Sequence, residues 1–126
     1  MEIKHVVLTK LDGVPDKDGI AFSKSAKVCG LPANVPIRVG FDSKDPPIGF
    51  ADIRLEGDVL LGDITLTDEK YFDKKLLDVI APAFAGSIVS MDEKSQVSEF
   101  KVLSIGLVLA PTASDRHVEP LGKYVK

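Results

Sequence analysis

The sequence is poor in the residues on which several classes of binding site depend. Its 126 residues include one cysteine, Cys29, two tyrosines and no tryptophan. A single thiol excludes both an internal disulfide and a zinc site built from several cysteines. The 16 lysines and arginines against 19 aspartates and glutamates give a formal net charge of −3. Because nucleic acids require clustered cations or stacking rings, this composition argues against nucleic acid as a partner.

The sequence also lacks an apolar run of the length, about 18 residues or more, that a membrane-spanning helix needs. Its N-terminus does not have the basic-then-apolar order of a signal peptide. We therefore expect a soluble protein with no membrane partner, made and kept in a reducing compartment. Apolar residues make up 44% and charged residues 28% of the chain, as in a globular domain. The length and the polar end predict a single β-rich domain at 1–111 and a polar C-terminal tail at 112–126.

Short β-rich segments recur along the chain and predict about six or seven strands. The clearest of them are 3–8, 37–41, 48–55, 59–66, 84–91 and 97–109. A tight turn at Glu56-Gly57-Asp58 joins the third and fourth of these into a hairpin. Uneven spacing near Ala51-Asp52 indicates a bulge or a change of face. The segment 31–36 is expected to stay out of a central strand because each of its two prolines removes a ladder donor. Mixed signals over 22–28 predict no element.

One helix is predicted, over about residues 68–81. Thr67 or Asp68 is a suitable N-cap for it, and Pro82 marks its end. Three apolar residues at four-residue spacing form its expected packing face: Phe72, Leu76 and Ile80. Together these elements predict a mostly β protein of the α+β class, with mainly antiparallel strands in a small barrel or sandwich.

Two patterns suggest a metal site or a thiol site, but each lacks groups that such a site requires. The Asp-rich loop ending at Gly19 resembles a calcium loop, but an EF-hand alignment places Val14 at position 1 and Ser25 at position 12, which do not supply the required ligands. We interpret this loop as a solvated turn. Cys29 could pair with a histidine as a thiolate, yet nothing supplies an oxyanion hole, so a half-buried structural cysteine is expected. No Gly-rich phosphate loop is present, and no metal or cofactor is predicted.

Ser87 is the candidate nucleophile of the sequence. It follows Gly86 at the beginning of a predicted buried strand, where its hydroxyl is little crowded. A serine nucleophile needs a base within hydrogen-bond reach, usually a histidine. The chain has two histidines, His5 in the first predicted strand and His117 in the polar tail. Without a base beside it, Ser87 is a small polar residue next to a turn.

The order of these signals resembles that of the prohead (capsid maturation) proteases of tailed bacteriophages, which share their fold with the herpesvirus assemblin proteases. Three stretches carry the resemblance: 14–26, the segment 35–66 with Pro47-Ile48-Gly49 and its hairpin, and 86–113 with Gly86-Ser87-Ile88 and the closing strand. The predicted helix lies between the hairpin and the serine strand, as in the family. The resemblance implies a small, mainly antiparallel β-barrel in which Ser87 occupies the nucleophile position.

The sequence departs from the family at the other two catalytic positions. The family's histidine shortly precedes Pro-Ile-Gly, where this chain has Phe41-Asp42-Ser43-Lys44-Asp45. The family's acidic residue, early in the last strand, corresponds to Ser104. Asp42 is a poor substitute for the histidine, because a solvated carboxylate is a weak base toward a serine hydroxyl. The loss of one member of such a unit costs several orders of magnitude in rate.

The resemblance without the catalytic histidine implies a non-enzymatic virion protein with a protease-like fold. It would be a capsid decoration (cement) protein or another head component, bound to the major capsid protein or other virion proteins as a homo-oligomer. It would be found in the virion capsid, and in the host cytoplasm during assembly. We expect its contacts around 13–25 and 112–126. Two alternatives stay open: an active prohead-type serine endopeptidase with Ser87 as nucleophile and His5 as a base from the first strand, or an unrelated small β-barrel binding module.

Overall fold

The computed structural model describes residues 1–40, 44 and 46–125. Asp42, the residue that would have to replace the family's histidine as a base, lies outside the described residues. The described chain is mostly β. Its seven strands are β1 (Glu2–Lys10), β2 (Phe22–Val28), β3 (Ala33–Val39), β4 (Gly49–Glu56), β5 (Val59–Leu66), β6 (Ile80–Met91) and β7 (Val97–Leu109). The helical elements are short: α1 (Lys74–Leu77) and the 3-10 turns Glu69–Tyr71, Ala110–Thr112 and Leu121–Tyr124.

The seven strands form one sheet in the order β1-β5-β4-β3-β7-β2, with β6 also paired to β7. Four of the pairings are antiparallel, and the two that join β7 to β2 and β3 are parallel. The first part of β7 pairs with β2 and its last part with β3, while β6 follows it along the other side. The prediction of a long strand at 97–109 is confirmed, and this strand organises the sheet.

The two edges β1 and β6 approach each other without pairing. The 3-10 turn Leu121–Tyr124 contacts both edges, and its Leu121 side chain is fully buried. The Val7 amide on β1 donates to the Tyr124 hydroxyl at 3.4 Å instead of to a strand. The predicted closed barrel is therefore not confirmed: among the described strands the sheet is open between β1 and β6, and we call this opening the seam.

The predicted helix over 68–81 is wrong in length. Asp68 caps the 3-10 turn Glu69–Tyr71, and Asp73 then caps α1, which ends at Leu77. The two N-caps lie so close together that each begins only one short turn. The β-branched residues Val79 and Ile80, which favour a strand over a helix, then lead into β6. The packing face also differs from the prediction. Leu77 is fully buried and Phe72 is exposed, while Leu76 is half-buried and Ile80 is a buried residue of β6.

Two strand predictions are also corrected. Pro36 lies within β3, a central strand. It is accommodated there because β3 pairs only with β4 at that point, and with β7 only from Ile37 onward. A missing amide is tolerated where one side of a strand is unpaired. No bulge interrupts β4, whose register with β5 is continuous from Gly49 to Glu56. The unassigned segment 22–28 is β2.

The hairpin β4–β5 is confirmed, and its turn depends on Gly57. This residue has a φ of 61°, in the left-handed region that glycine adopts at little cost. The pair Glu56–Val59 closes the ladder next to the turn. Inward-facing residues of both strands, including Ile53, Leu60 and Ile64, are buried in the core of the sheet.

The polar C-terminal segment packs against the sheet over its described length. Ala113 and Leu121 are buried. The Lys17 amide donates to the Ser114 carbonyl at 2.9 Å, and the His117 ring bonds Asp12 across the loop after β1. No helix in the described residues has the length and apolar character needed to cross a membrane.

Candidate functional site

Ser87 lies on the part of β6 where the strand becomes exposed. Its register partner is Lys101 of β7, and the ladder shifts by one position just before Gly86. A Cβ atom at Gly86 would come within 2.9 Å of the Lys101 carbonyl oxygen, so the two backbones approach as closely as glycine permits. Ser104, the position at which the resemblance places the acidic residue, lies opposite Ala85. The serine therefore lies on an exposed part of the strand, whereas the sequence predicts a buried strand here.

Ser87 borders a groove of about 180 Å³ at the seam. One wall is β6 around Phe84 to Ile88, and the other is made of the loop 16–20 with Phe22 and the C-terminal segment 113–118. Three aromatic rings form its floor: Phe22, Phe84 and Phe100. The centroid of the Phe22 ring lies 4.7 Å from that of Phe100 and 5.8 Å from that of Phe84. Such a contiguous ring cluster gives the groove a firm apolar floor.

Three carboxylates lie at the rim of the groove: Asp16, Asp18 and Asp115. One oxygen of Asp16 accepts the amides of Asp18 and Ile20, each at 2.9 Å. This loop is the one that resembles a calcium loop in sequence, and in the structure the aspartate stabilises its own turn. Within the described residues, no group of three or more His, Cys, Asp or Glu side chains is arranged to hold a metal ion.

His117 lies between two carboxylates next to the groove. Its Nε2 is 2.7 Å from Asp12 Oδ2, and its Nδ1 is 3.0 Å from Asp115 Oδ1. Burial acts to raise the pKa of Asp12, but the Val14 amide and His117 outweigh it, so this pKa is below its ordinary value. Both ring nitrogens are thus engaged: Nε2 ties the C-terminal segment to the loop after β1, and Nδ1 bonds within that segment.

His5 is engaged on a different surface. It has a φ of 59° at an irregularity in β1, its amide donates to Asp63 at 3.0 Å, and its Nδ1 is 2.8 Å from Arg54 Nη2. The His5 amide is the main cause that lowers the pKa of Asp63, with Arg54 adding to the effect. Among the described residues, no hydrogen bond joins either histidine to Ser87.

The Cys29 thiol likewise bonds to a residue other than a histidine. It donates to Glu99 Oε1 at 3.2 Å. This hydrogen bond raises the pKa of the Cys29 thiol, and burial raises it further. A thiol that is held protonated is a weak nucleophile.

Sequence reasoning missed the exposed apolar residues near Ser87. The segment 84–91 was predicted to be a buried strand, but β6 is exposed from Gly86 to Met91. Four large apolar side chains in this region have exposed fractions of 50–56%: Ile88, Val89, Met91 and Leu103. The serines on either side of Ile88 and Val89, Ser87 and Ser90, are the sequence signal of exposure in this segment.

Comparisons with protein-family models, with curated proteins and with solved structures find no match to this chain. The site is therefore interpreted from its own geometry. That geometry brings Ser87 together with an apolar groove and an acidic rim, and it leaves Cys29 and both histidines in other contacts.

Proposed function

We propose that this chain is a non-enzymatic bacteriophage virion protein that binds the capsid shell, as a decoration protein or as another structural protein of the head. The observation that carries the proposal is the bonding of the two histidines. Asp12 and Asp115 hold the His117 ring, and Arg54 contacts the His5 ring. A serine hydroxyl with no base is a poor nucleophile, so a protease-like scaffold of this kind supports binding rather than cleavage.

The finer fold that we propose is the small, mainly antiparallel barrel of the prohead protease and assemblin type. It is supported by the curvature that brings β1 and β6 together and by the position of Ser87 on β6 beside the long strand β7. In this proposal the turn Leu121–Tyr124 occupies the place where a complete barrel would pair its first and last strands.

The proposed partners are the major capsid protein or other virion proteins, with self-association of this chain on the shell. The protein would reside in the virion capsid, and in the host cytoplasm during assembly. Exposed apolar side chains on the β6–β7 ribbon support a docking role, because contiguous exposed apolar groups mark interaction surfaces. Two of them, Val89 and Met91, have exposed fractions of 56% and 54%.

The test is to purify virions of the phage that encodes the chain and to measure binding of the chain to emptied capsids. We expect the chain in the particle, and we expect Val89→Glu to reduce its occupancy about tenfold by burying a charge in an apolar contact. Val79→Glu is the matched control, since Val79 is 48% exposed and precedes β6 at its other end. Absence of the chain from virions and no binding to capsids would favour the unrelated binding module.

The endopeptidase alternative has one observation in its favour, the position of Ser87 on the wall of an apolar groove. Incubation of the chain with its capsid protein distinguishes the two. We expect no cleavage. Cleavage that disappears in Ser87→Ala but persists in Ser90→Ala would establish the endopeptidase and reject the non-enzymatic proposal.

A further inference from the structure

The outer edge of β6 is the unpaired side of the seam. Within the described chain, β6 pairs only with β7, so its other edge carries backbone groups with no ladder. The segment from Ala83 to Met91 has no charged side chain, although charges commonly protect exposed strand edges. Such an edge is a template for an added strand.

The seam is filled at one end and open at the other. The turn Leu121–Tyr124 contacts β1 and β6 but does not line the groove. One part of the seam is thus covered by the C-terminal turn of the same chain. The groove beside Phe84 to Ile88 is the remaining part.

The size of the groove indicates the kind of occupant. Its volume of about 180 Å³ is below the roughly 300–1,000 Å³ that is usual for small-molecule sites. The apolar floor of Phe22, Phe84 and Phe100 is suited to one or two side chains of a peptide whose backbone lies along β6. A strand presents alternate side chains to one face, which allows one of them to reach this floor.

The charge of the rim indicates the composition of that peptide. Asp16 and Asp18 line the groove, as does Asp115, whose Oδ1 is already engaged by the His117 amide and ring. No lysine, arginine or histidine lines the groove in the described residues. The nearby Lys17 amino group is directed to the Pro111 carbonyl, 3.4 Å away. A lysine or arginine next to the apolar anchor would complement these carboxylates.

From these observations we infer that the open part of the seam binds an extended segment of a partner protein that alternates apolar and basic residues, added as a strand along β6. The inference rests on the proposed function in one respect, that the chain binds this segment and does not cut it. It assigns binding to a site that includes residues of both predicted contact regions, Asp16 to Phe22 and Ala113 to Val118.

The test uses a fluorescein-labelled synthetic peptide of alternating valine and lysine, titrated with the full chain and followed by anisotropy. One control peptide has glutamate in place of lysine, and two others carry N-methyl groups on the odd-numbered or on the even-numbered amides. We expect the valine–lysine peptide to bind, and we expect the glutamate peptide and one of the two N-methylated registers to lose at least about tenfold in affinity. Equal binding of the glutamate peptide overturns the role of the rim, and equal binding of both N-methylated registers overturns strand addition.

A matched pair of variants places the site. Ile88 lines the groove, whereas its neighbour Val89 does not, and both are about half exposed. Ile88→Lys should weaken binding of the valine–lysine peptide about tenfold, and Val89→Lys, with the same change in net charge, less than about twofold. Equal effects of the two variants would overturn the assignment, since binding would then follow net charge alone.

Mass spectrometry of the peptide after the titration separates this inference from the proposed function. An intact peptide with the expected variant pattern supports both. A bound peptide that is cut, with cutting lost in Ser87→Ala, overturns the non-enzymatic proposal and the clause that rests on it. Binding to the peptide by a chain that is absent from virions leaves the groove assignment supported and rejects the virion proposal. Concentration-dependent dimers that Ile88→Lys abolishes would identify a second copy as the occupant and overturn the partner assignment.

Discussion

The two halves of β6 share one partner strand but differ in burial. In the half from Ile80 to Ala85, which we call the buried half, the first three residues are buried and the next three are half-buried. The other half, from Gly86 to Met91, is exposed throughout. The exposed half contains three large apolar residues, Ile88, Val89 and Met91, and the buried half contains two, Ile80 and Phe84. Apolar content therefore does not decide which half is buried. What decides it is whether another part of the chain reaches that edge of the sheet.

Besides β7 and β1, the described elements α1 and the turn Leu121–Tyr124 contact β6. These two elements lie beside its outer edge. They are joined by Lys74, whose amino group donates to the Gly122 carbonyl at 3.0 Å and pairs with Asp78. α1 ends shortly before Ile80, so it lies next to the buried half. The exposed half has no comparable cover in the described chain, and the groove lies beside it.

The largest expected effect comes from removing the cover of the buried half. Leu121 has no exposed surface, so Leu121→Ala should lower the free energy of unfolding by about 2–5 kcal/mol through lost burial and a residual cavity. Urea denaturation followed by circular dichroism measures this. Leu109→Ala is the control, because Leu109 is 59% exposed and should change stability by less than about 0.5 kcal/mol. A loss below about 1 kcal/mol for Leu121→Ala would show that the turn adds little to the stability of the sheet.

The next effect lies at the boundary between the two halves. Gly86→Ala places a methyl group against the Lys101 carbonyl oxygen, a backbone atom that cannot move without parting β6 from β7. We expect a loss of about 1–3 kcal/mol in the free energy of unfolding, measured in the same urea assay. Ser90→Ala, in the exposed half, should be close to neutral. If Gly86→Ala is equally neutral, the close approach of the two strands is not a constraint on the fold.

The strands were largely predictable from the sequence because their signals are local. The β4–β5 hairpin follows from alternation around Gly57, and β7 follows from a long β-rich run without prolines. The helix over 68–81 was not predictable in the same way, since its four-residue spacing satisfied a helical pattern while Asp73 began a second, shorter turn. Local periodicity does not show where a second N-cap will end one helical turn and begin another.

The site was predictable only in part. Ser87 stands out from the sequence, but the strand that carries it was predicted to be buried and is exposed at this position. The groove is built from residues near 16–22, 84–88, 100 and 113–118, which no sequence spacing relates to one another. The engagement of His117 by Asp12 likewise joins residues far apart in the chain. Such contacts depend on the path of the C-terminal segment over the sheet, which polar composition alone does not reveal.

A smaller effect is expected from the bond that ties this segment to the loop after β1. The pKa of Asp12 is below its ordinary value in the folded protein, so its contribution to stability is present above the unfolded-state pKa and is lost as pH falls through the folded-state pKa. Asp12→Asn should therefore cost about 0.5–1 kcal/mol near pH 6, and this difference from the unmodified chain should vanish toward about pH 2–3. Urea denaturation of both proteins across this range measures it. A difference independent of pH would mean that the ionised carboxylate is not what holds the segment.

The smallest expected effect is at Ser87 itself, and it tests whether the exposed half of β6 is a binding edge or a catalytic one. The side chain is exposed and has no hydrogen-bond partner among the described residues, so Ser87→Ala should change the free energy of unfolding by less than about 0.5 kcal/mol. On the proposed function it should also leave capsid binding unchanged, whereas Ile88→Lys, one residue further along the same edge, should disturb the groove. A folded Ser87→Ala protein that no longer supports infectious particles would show that the hydroxyl acts chemically, because neither packing nor stability would account for the loss. The edge of β6 would then hold a nucleophile whose base is neither histidine in the position described here.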